Sequence, residues 1–368
     1  MTSSLTLADF GKFVDDRISN SNLDETTYIG NDNLLSEFQG VIHSDYVPSN
    51  GTSSRFLPND ILIGNIRPYL KKMWLAKFSG GASNDVLVFR CTDPSEAVFV
   101  FLALTSQDFI DYSMAGSKGT KMPRGEKTHI LKYKLPPLNR DMRTRTSAFF
   151  SKVNARIENN LAICVELEKI GREFYKLSRS DSAYLHGAKP YKLSDVLVRN
   201  NKRFNLDTEV ETIDLSVMPE GSLVLFNTNS SDNFDTNLFE LNKGDLLIGA
   251  IRPYLRKFGI SPLNGAVTGT VLSYSVKQEN MAGYLLFLLD SEDFRDYLIK
   301  MSYGTKMPVI DSDIVLNYEF EVSDQVLSIF SKSYDYRMQL ITLVSENLEL
   351  RKLVNRFLPL ALSGSIIF

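Results

Sequence analysis

The chain has 368 residues, with 41 Lys and Arg against 44 Asp and Glu and a formal net charge of −3. Its length allows two domains of ordinary size, and its mild acidity argues against a surface that grips nucleic acid everywhere, leaving local basic patches open. Two cysteines, Cys91 and Cys164, exclude a disulfide framework and point to a reducing, cytoplasmic setting.

No apolar run approaches the roughly 20 residues a membrane helix needs. The opening MTSSLTLADFGKF lacks the basic and apolar regions of a signal peptide. LTLADF and TTYIG read as an extended piece, a turn and a strand, and YKLSDV and ETIDL repeat that plan later in the chain. Residues 31–59 are rich in Asn, Ser, Gly and Pro and read as loops. The run from Asp60 through Ile-Leu-Ile-Gly is a buried strand, closed by Arg67-Pro68 because proline cannot donate to a sheet ladder. VLVFR at 86–90 is another strand, 96–112 has helical length, GSKGTKMPRG at 116–125 is a tight loop, and ILKYKLPPL at 130–138 alternates like a strand.

From Arg140 to Ser180 there is no Pro and a single Gly. Phe150, Val153, Ile157, Leu161, Cys164, Leu167, Ile170, Phe174 and Leu177 recur every three or four residues, which predicts a long amphipathic helix of the coiled-coil kind. About 40 helical residues reach about 60 Å. A second long helix is predicted after Ser323, carrying Val326, Phe330, Ile341, Val344, Leu348 and Phe357, with Pro359 near its end. The packing between the two is expected to involve Phe150, Ile157, Leu161, Ile341, Val344 and Leu348.

The chain repeats itself. DILIGNIRPYLKK at 60–72 returns as DLLIGAIRPYLRK at 245–257, identical at 10 of 13 positions. GTKMP at 119–123 returns at 304–308, and SQDFIDY at 106–112 returns as SEDFRDY at 291–297, all at a spacing of 185. Two copies of one fold with different working surfaces follow. Residues 1–137 should superpose on 190–322, each copy followed by a long helix. Antiparallel helices with a domain at each end would give a dumbbell of approximate two-fold symmetry.

Familiar catalytic patterns are missing. His43, His129 and His186 are scattered without metal-ligand spacing. GSKGTK does not meet the phosphate-loop spacing, no dinucleotide fingerprint follows a strand, and LPPL at 135–138 lacks the flanking residues that amino-methyltransferases use.

These motifs, in order and duplicated, closely resemble the DNA-specificity subunit of Type I restriction-modification systems. The carriers are D-[IL]-L-I-G-x-I-R-P-Y at 60–69 and 245–254, the GTKMP turns, YKLPPL at 133–138 and the C-terminal LRKLVNRFLPLALSGSI, where Ser365 stands in a position the family usually fills with an acid. The resemblance covers essentially the whole chain. It implies an α+β fold: target recognition domains at 1–138 and 183–322, long antiparallel coiled-coil spacer helices at 139–182 and 323–368, and pseudo-two-fold symmetry. It implies a non-catalytic subunit in which each domain reads one half of a bipartite target on double-stranded DNA. The helices would set the gap and dock two modification subunits. No cofactor is expected in this chain. S-adenosylmethionine belongs to the modification partners, and ATP with Mg to the restriction subunits, two of them where present. Alternatives are a specificity subunit whose partner fuses modification and cleavage, and a protein-interaction scaffold that binds no DNA.

Candidate DNA contacts divide into two sets. Residues 117–145 hold nine Lys or Arg against two acids, so Lys118, Lys121, Arg124 and Lys127 are candidate phosphate contacts, with Lys306 in the second copy. Lys71, Lys72, Arg256 and Lys257 are further phosphate candidates, while the repeated Arg67 and Arg252 take a shared scaffold or phosphate role. Base reading is expected where the copies differ, in loops 43–55 and 227–237, with His43, Ser53, Ser54, Arg55, Asn227, Asn229 and Asn233 as candidates.

Overall fold

A computed structural model describes residues 5–119, 122–205, 208–332 and 334–368, without the side chains of residues 332 and 334–336. It divides into two compact units, Met1–Asn154 with Lys352–Phe368, and Ala155–Arg351.

In the first unit the DILIG run becomes the strand Ile61–Gly64, buried at all four positions. A run apolar on both faces belongs in the middle of a sheet. The sheet order is Gly11–Phe13, Val86–Cys91, Ile61–Gly64, Met73–Leu75, antiparallel throughout. Leu7, Phe10, Ile61, Phe89, Phe99 and Phe109 share one core with Phe150, Leu358 and Leu362. A second sheet runs Arg17–Ser19, Thr52–Phe56, Gly80–Ala82, Tyr28–Ile29.

Several sequence expectations are corrected here. Residues 52–56 form a strand, not a loop, because the segment pairs on both sides, with Arg17–Ser19 and with Gly80–Ala82, and buries Ser53 and Phe56 on its two faces. The 96–112 stretch is two helices, Ala97–Leu104 and Gln107–Ala115, since Ser106 caps the second by accepting from the Phe109 amide. LADF at 7–10 and LSDV at 193–196 are single helical turns, with Asp9 and Asp195 accepting from the amides of Thr6 and Lys192. ILKYKLPPL is no strand: Lys127–Ile130 is helical, and only Lys134 bridges, to Thr6.

The second unit repeats the plan: Leu197–Arg199, Val271–Val276, Leu246–Gly249, Phe258–Ile260. Register repeats with it. Ile61 faces Phe89 and Leu246 faces Tyr274, each pair 185 residues from its counterpart. The second sheet differs at its edges. It adds Asn229–Ser230 beside Glu211–Ile213, and a single bridge, Arg203 to Phe239, stands where the first unit has Arg17–Ser19.

The predicted long helix spans Arg140–Ser180. The C-terminal one is described as two pieces, Asp324–Lys332 and Tyr334–Leu362. Within the second unit they run antiparallel: Arg156 and Asn160 meet Glu346 and Asn347, and Phe174 meets Phe330. Ile157, Ile341, Val344 and Leu348 are buried there and Leu161 is half-buried, while Phe150 sits in the first unit's core beside Phe149 and Phe368.

The buried seam of the 140–180 helix matches the apolar spacing only in part: Phe150, Ile157 and Cys164 are buried and Leu161, Leu167 and Phe174 pack against the core, but polar residues and a glycine complete it. In the second unit the buried positions are Ile157, Asn160, Cys164, Glu168, Gly171, Tyr175 and Ser178. Ile170 and Leu177, assigned to the stripe, are 58% and 47% exposed. The seam's polar side chains are bonded, with the Asn160 side-chain carbonyl oxygen alone among them left without a partner in the described residues. Asn160 donates to Asn347 and Glu346, and Glu168 accepts from the Ser222 hydroxyl and the Leu223 amide. Gly171 is required, because a Cβ there would lie 2.0 Å from the Phe287 ring.

Candidate nucleic-acid interface

The two repeated motifs converge in each unit. After Gly64 the chain reaches Arg67, which adopts the left-handed conformation at φ 53°, followed by one 3-10 turn, Pro68–Leu70, and a second left-handed residue, Lys71 at φ 53°. Arg252 and Arg256 repeat this at φ 54° and 51° around Pro253–Leu255. Such residues cost roughly 1–2 kcal/mol each without glycine, so the surrounding bonds must impose them. They are the same bonds twice. The Arg67 amide donates to the Pro123 carbonyl at 2.9 Å and the Arg252 amide to Pro308 at 2.8 Å. Gly64 donates to Lys72 and Gly249 to Lys257, each at 2.8 Å. Pro123 and Pro308 close the GTKMP motifs, whose glycines sit at φ 98° and 92°. The flanking residues pair as Lys118 with Arg124 and Tyr303 with Val309, and residues 124 and 309 bridge to Ile66 and Ile251.

The result in each unit is a turn backed by a hairpin. Arg67, Tyr69 and Met122 are exposed in the first, and Arg252, Tyr254, Tyr303 and Met307 in the second. Neither the Arg67 nor the Arg252 guanidinium has a hydrogen-bond or ion-pair partner among the described residues.

The phosphate candidates behind the turn have other work. Lys72 donates to the Asn31 carbonyl at 2.9 Å, and Lys257 to the carbonyls of Leu215 and Met218 at 2.7 and 3.0 Å. Lys71 pairs with Glu37 at 3.1 Å, and Arg256 with Asp290 at 3.1 Å. Lys71, Lys72 and Lys257 staple the variable loops near 31–38 and 215–218 to the repeated turn, while Arg256 ties the turn to Asp290 at the end of the helix Ala282–Leu289. Sequence placed them by charge alone; the carbonyls they serve lie far away in the chain.

On the first unit's hairpin Lys118 pairs with Glu126 at 3.2 Å and Arg124 with Asp85 at 3.1 Å. Hydrogen bonds from Thr128 first, then Lys118, hold the Glu126 carboxyl below its usual range. Pairs this exposed add little stability and can exchange partners. Lys127 lies over the Phe13 ring at 5.7 Å. Lys306 is exposed, and Lys121 lies outside the described residues. The basic row is confined to the first unit, since Tyr303 and Val309 stand where Lys118 and Arg124 do.

Of the base-reading candidates, His43, Arg55 and Asn233 are exposed. Ser53 is buried and donates to Asn20, and Ser54 accepts from Arg17. Asn229 donates to Asp214 at 2.8 Å, and Asn227 is half-buried. Exposed Ile42 and Tyr46 beside His43 escaped notice in the sequence, having no counterpart motif.

Among the described residues no cluster of His, Cys, Asp or Glu could hold a metal ion. Both thiols are buried, which pushes Cys91 and Cys164 up to about 12. No helix is long and apolar enough to cross a membrane.

The fold is similar to that of a solved Type I restriction-modification system S subunit. The solved Type I restriction-modification S subunit from M. genitalium aligns over 97% of this chain and 94% of its own, at 13% identity and a TM-score of 0.53. The HsdS subunit from Thermoanaerobacter tengcongensis aligns over 98% and 96%, at 15% identity and a TM-score of 0.34. A chain from a structure of type I R-M complex assembly and conformational transition aligns over 98% and 97%, at 15% and 0.36. No protein-family model and no curated protein matches the sequence.

Proposed function

We propose that this chain is the DNA-recognition subunit of a Type I restriction-modification complex, with each unit reading one half of a bipartite target. The observation that carries this is a duplicated fold of constant register around a shared turn, with a different polar loop stapled behind each copy. Reading is assigned to the loops, where His43, Arg55, Asn227 and Asn233 are candidates. Side chains of these types make specific bonds to base edges. The long helices act as spacer and dock the modification subunits. In support, Ile163, Ile170 and Leu177 form an exposed apolar row at seven-residue spacing, opposite in kind to a solvated face. Two modification subunits would bring S-adenosylmethionine, and restriction subunits, where present, ATP and Mg.

Methylome sequencing of cells carrying this chain with its modification partner tests the reading. A two-part methylated motif is the expected result, and exchanging loop 31–51 should change one half of it alone. Methylation without a sequence motif would remove the proposal and leave the protein-scaffold reading.

A further inference from the structure

We infer that Arg67 with Tyr69, and Arg252 with Tyr254, are a matched pair of sequence-blind grips on the DNA backbone, one in each unit. The inference rests on the DNA-recognition reading above and adds to it a site and its ligand chemistry, the phosphodiester.

Three observations carry it. The first is identity. Arg-Pro-Tyr is the same in both copies while the loops stapled behind it differ. Two readers of different half-sites gain nothing from identical base-contacting side chains. A phosphate, however, is the same beside every base, so a repeated contact fits it.

The second is backbone conformation. Scaffolding at this turn is done by the Arg67 and Arg252 amides and by the buried Pro68 and Pro253. None of those contacts uses a guanidinium. A glycine or asparagine would adopt the left-handed conformation with less strain. Arginine stands there twice nonetheless, with its side chain exposed and without a partner among the described residues. The left-handed cations that follow, Lys71 and Arg256, spend their charge inside their own unit, whereas the charged ends of Arg67 and Arg252 reach solvent.

The third is surroundings. The other cations of the motif, Lys72, Lys257, Lys71 and Arg256, are taken up by carbonyls and carboxylates of their own unit. Lys118 and Arg124 on the hairpin behind Arg67 are exposed and paired with Glu126 and Asp85, contacts weak enough to exchange for a phosphate, and exposed Lys306 stands on the hairpin behind Arg252. Tyr69 and Tyr254, about half exposed and two residues on from the arginine in each turn, carry a further hydroxyl donor.

The test replaces both arginines by asparagine, Arg67→Asn with Arg252→Asn, which removes the charge while suiting the left-handed turn. Binding of the full chain with its modification partner to a duplex of random sequence is measured between 50 and 200 mM salt. Each lost phosphate contact should lower the log–log salt slope by roughly 0.9, so the double variant should lose about 1.8. Thermal melting should be unchanged or raised, and the methylated motif should stay the same. Arg67→Lys with Arg252→Lys should restore the slope. An unchanged slope in a folded double variant overturns the inference. So does an altered base preference at one half-site, or an unchanged slope with loss of the modification partner, which would make the platform a protein-docking site. A wild-type complex with no salt-dependent DNA binding would instead defeat the recognition reading itself.

Discussion

Asp60 and Asp245 occupy the same place in the two units, and their partners set their different worth. Each is buried and accepts from the amide three residues earlier, Leu57 or Asn242, at 2.7 Å. Asp60 also takes a two-bond fork from Arg90 at 2.8 and 2.6 Å, whereas Asp245 has neutral donors, Asn200 and Ser275. Asp60→Asn should cost about 3 kcal/mol, because it strands a partly buried cation. Asp245→Asn should cost about 1 kcal/mol. Trp74, the single tryptophan, lies on the strand paired to Ile61–Gly64, so its fluorescence in urea reports the first of these directly. Glu168 gives a prediction in pH. Burial raises its carboxyl above the usual range, against the pull of Arg172, with Asp290 also facing it. The folded state therefore holds a proton that the unfolded chain releases near its ordinary pKa. Stability of the second unit should fall as pH rises from about 4.5, the ordinary glutamate value, through the raised folded value. Glu168→Gln should flatten that fall, which circular-dichroism melts across pH 4–8 would record.

At the scale of elements, strands around DILIG and the 140–180 helix were legible because burial on both faces and a long unbroken period leave a plain mark in sequence. The helix seam was only partly so. Apolar spacing found Ile157 and Cys164 but also pointed to Ile170 and Leu177, which are exposed, and it missed Asn160, Glu168 and Gly171 on the buried face. Those residues are acceptable inside only through partners far along the chain, and distant partners leave no local pattern. The same reason hid the staple role of Lys72 and Lys257. The Asn160–Asn347 pair is predicted to fix register at a cost in stability, as buried polar pairs do between helices. Asn160→Leu with Asn347→Leu should raise the melting temperature of the chain and blur the gap in its methylated motif. A sharp gap with a raised melting temperature would assign register to other contacts. Outward-facing Ile170 and Leu177 give the opposite test. Ile170→Asp with Leu177→Asp should leave melting within about 0.5 kcal/mol and abolish co-purification of the modification subunit.

For the whole molecule, the proposal makes helix length part of target choice. Four residues added to the 140–180 helix, matched in 334–362, lengthen each by about 6 Å. One base-pair step is about 3.4 Å, so the preferred gap should grow by one or two base pairs with both half-sites retained. Methylation mapping of the lengthened variant decides this, and a fully active variant with the old gap would leave the helices a docking role only.

The first unit is discontinuous in the chain, and this orders its making. Its body lies within residues 1–154, yet Leu358, Ala361 and Leu362 belong to its core and the Phe368 ring stacks on Phe149. The second unit is a single stretch, Ala155–Arg351. On the ribosome the half synthesised later can therefore close first. The half synthesised earlier lacks part of its core until Lys352–Phe368 emerge, which leaves an apolar face open to chaperones or to wrong neighbours.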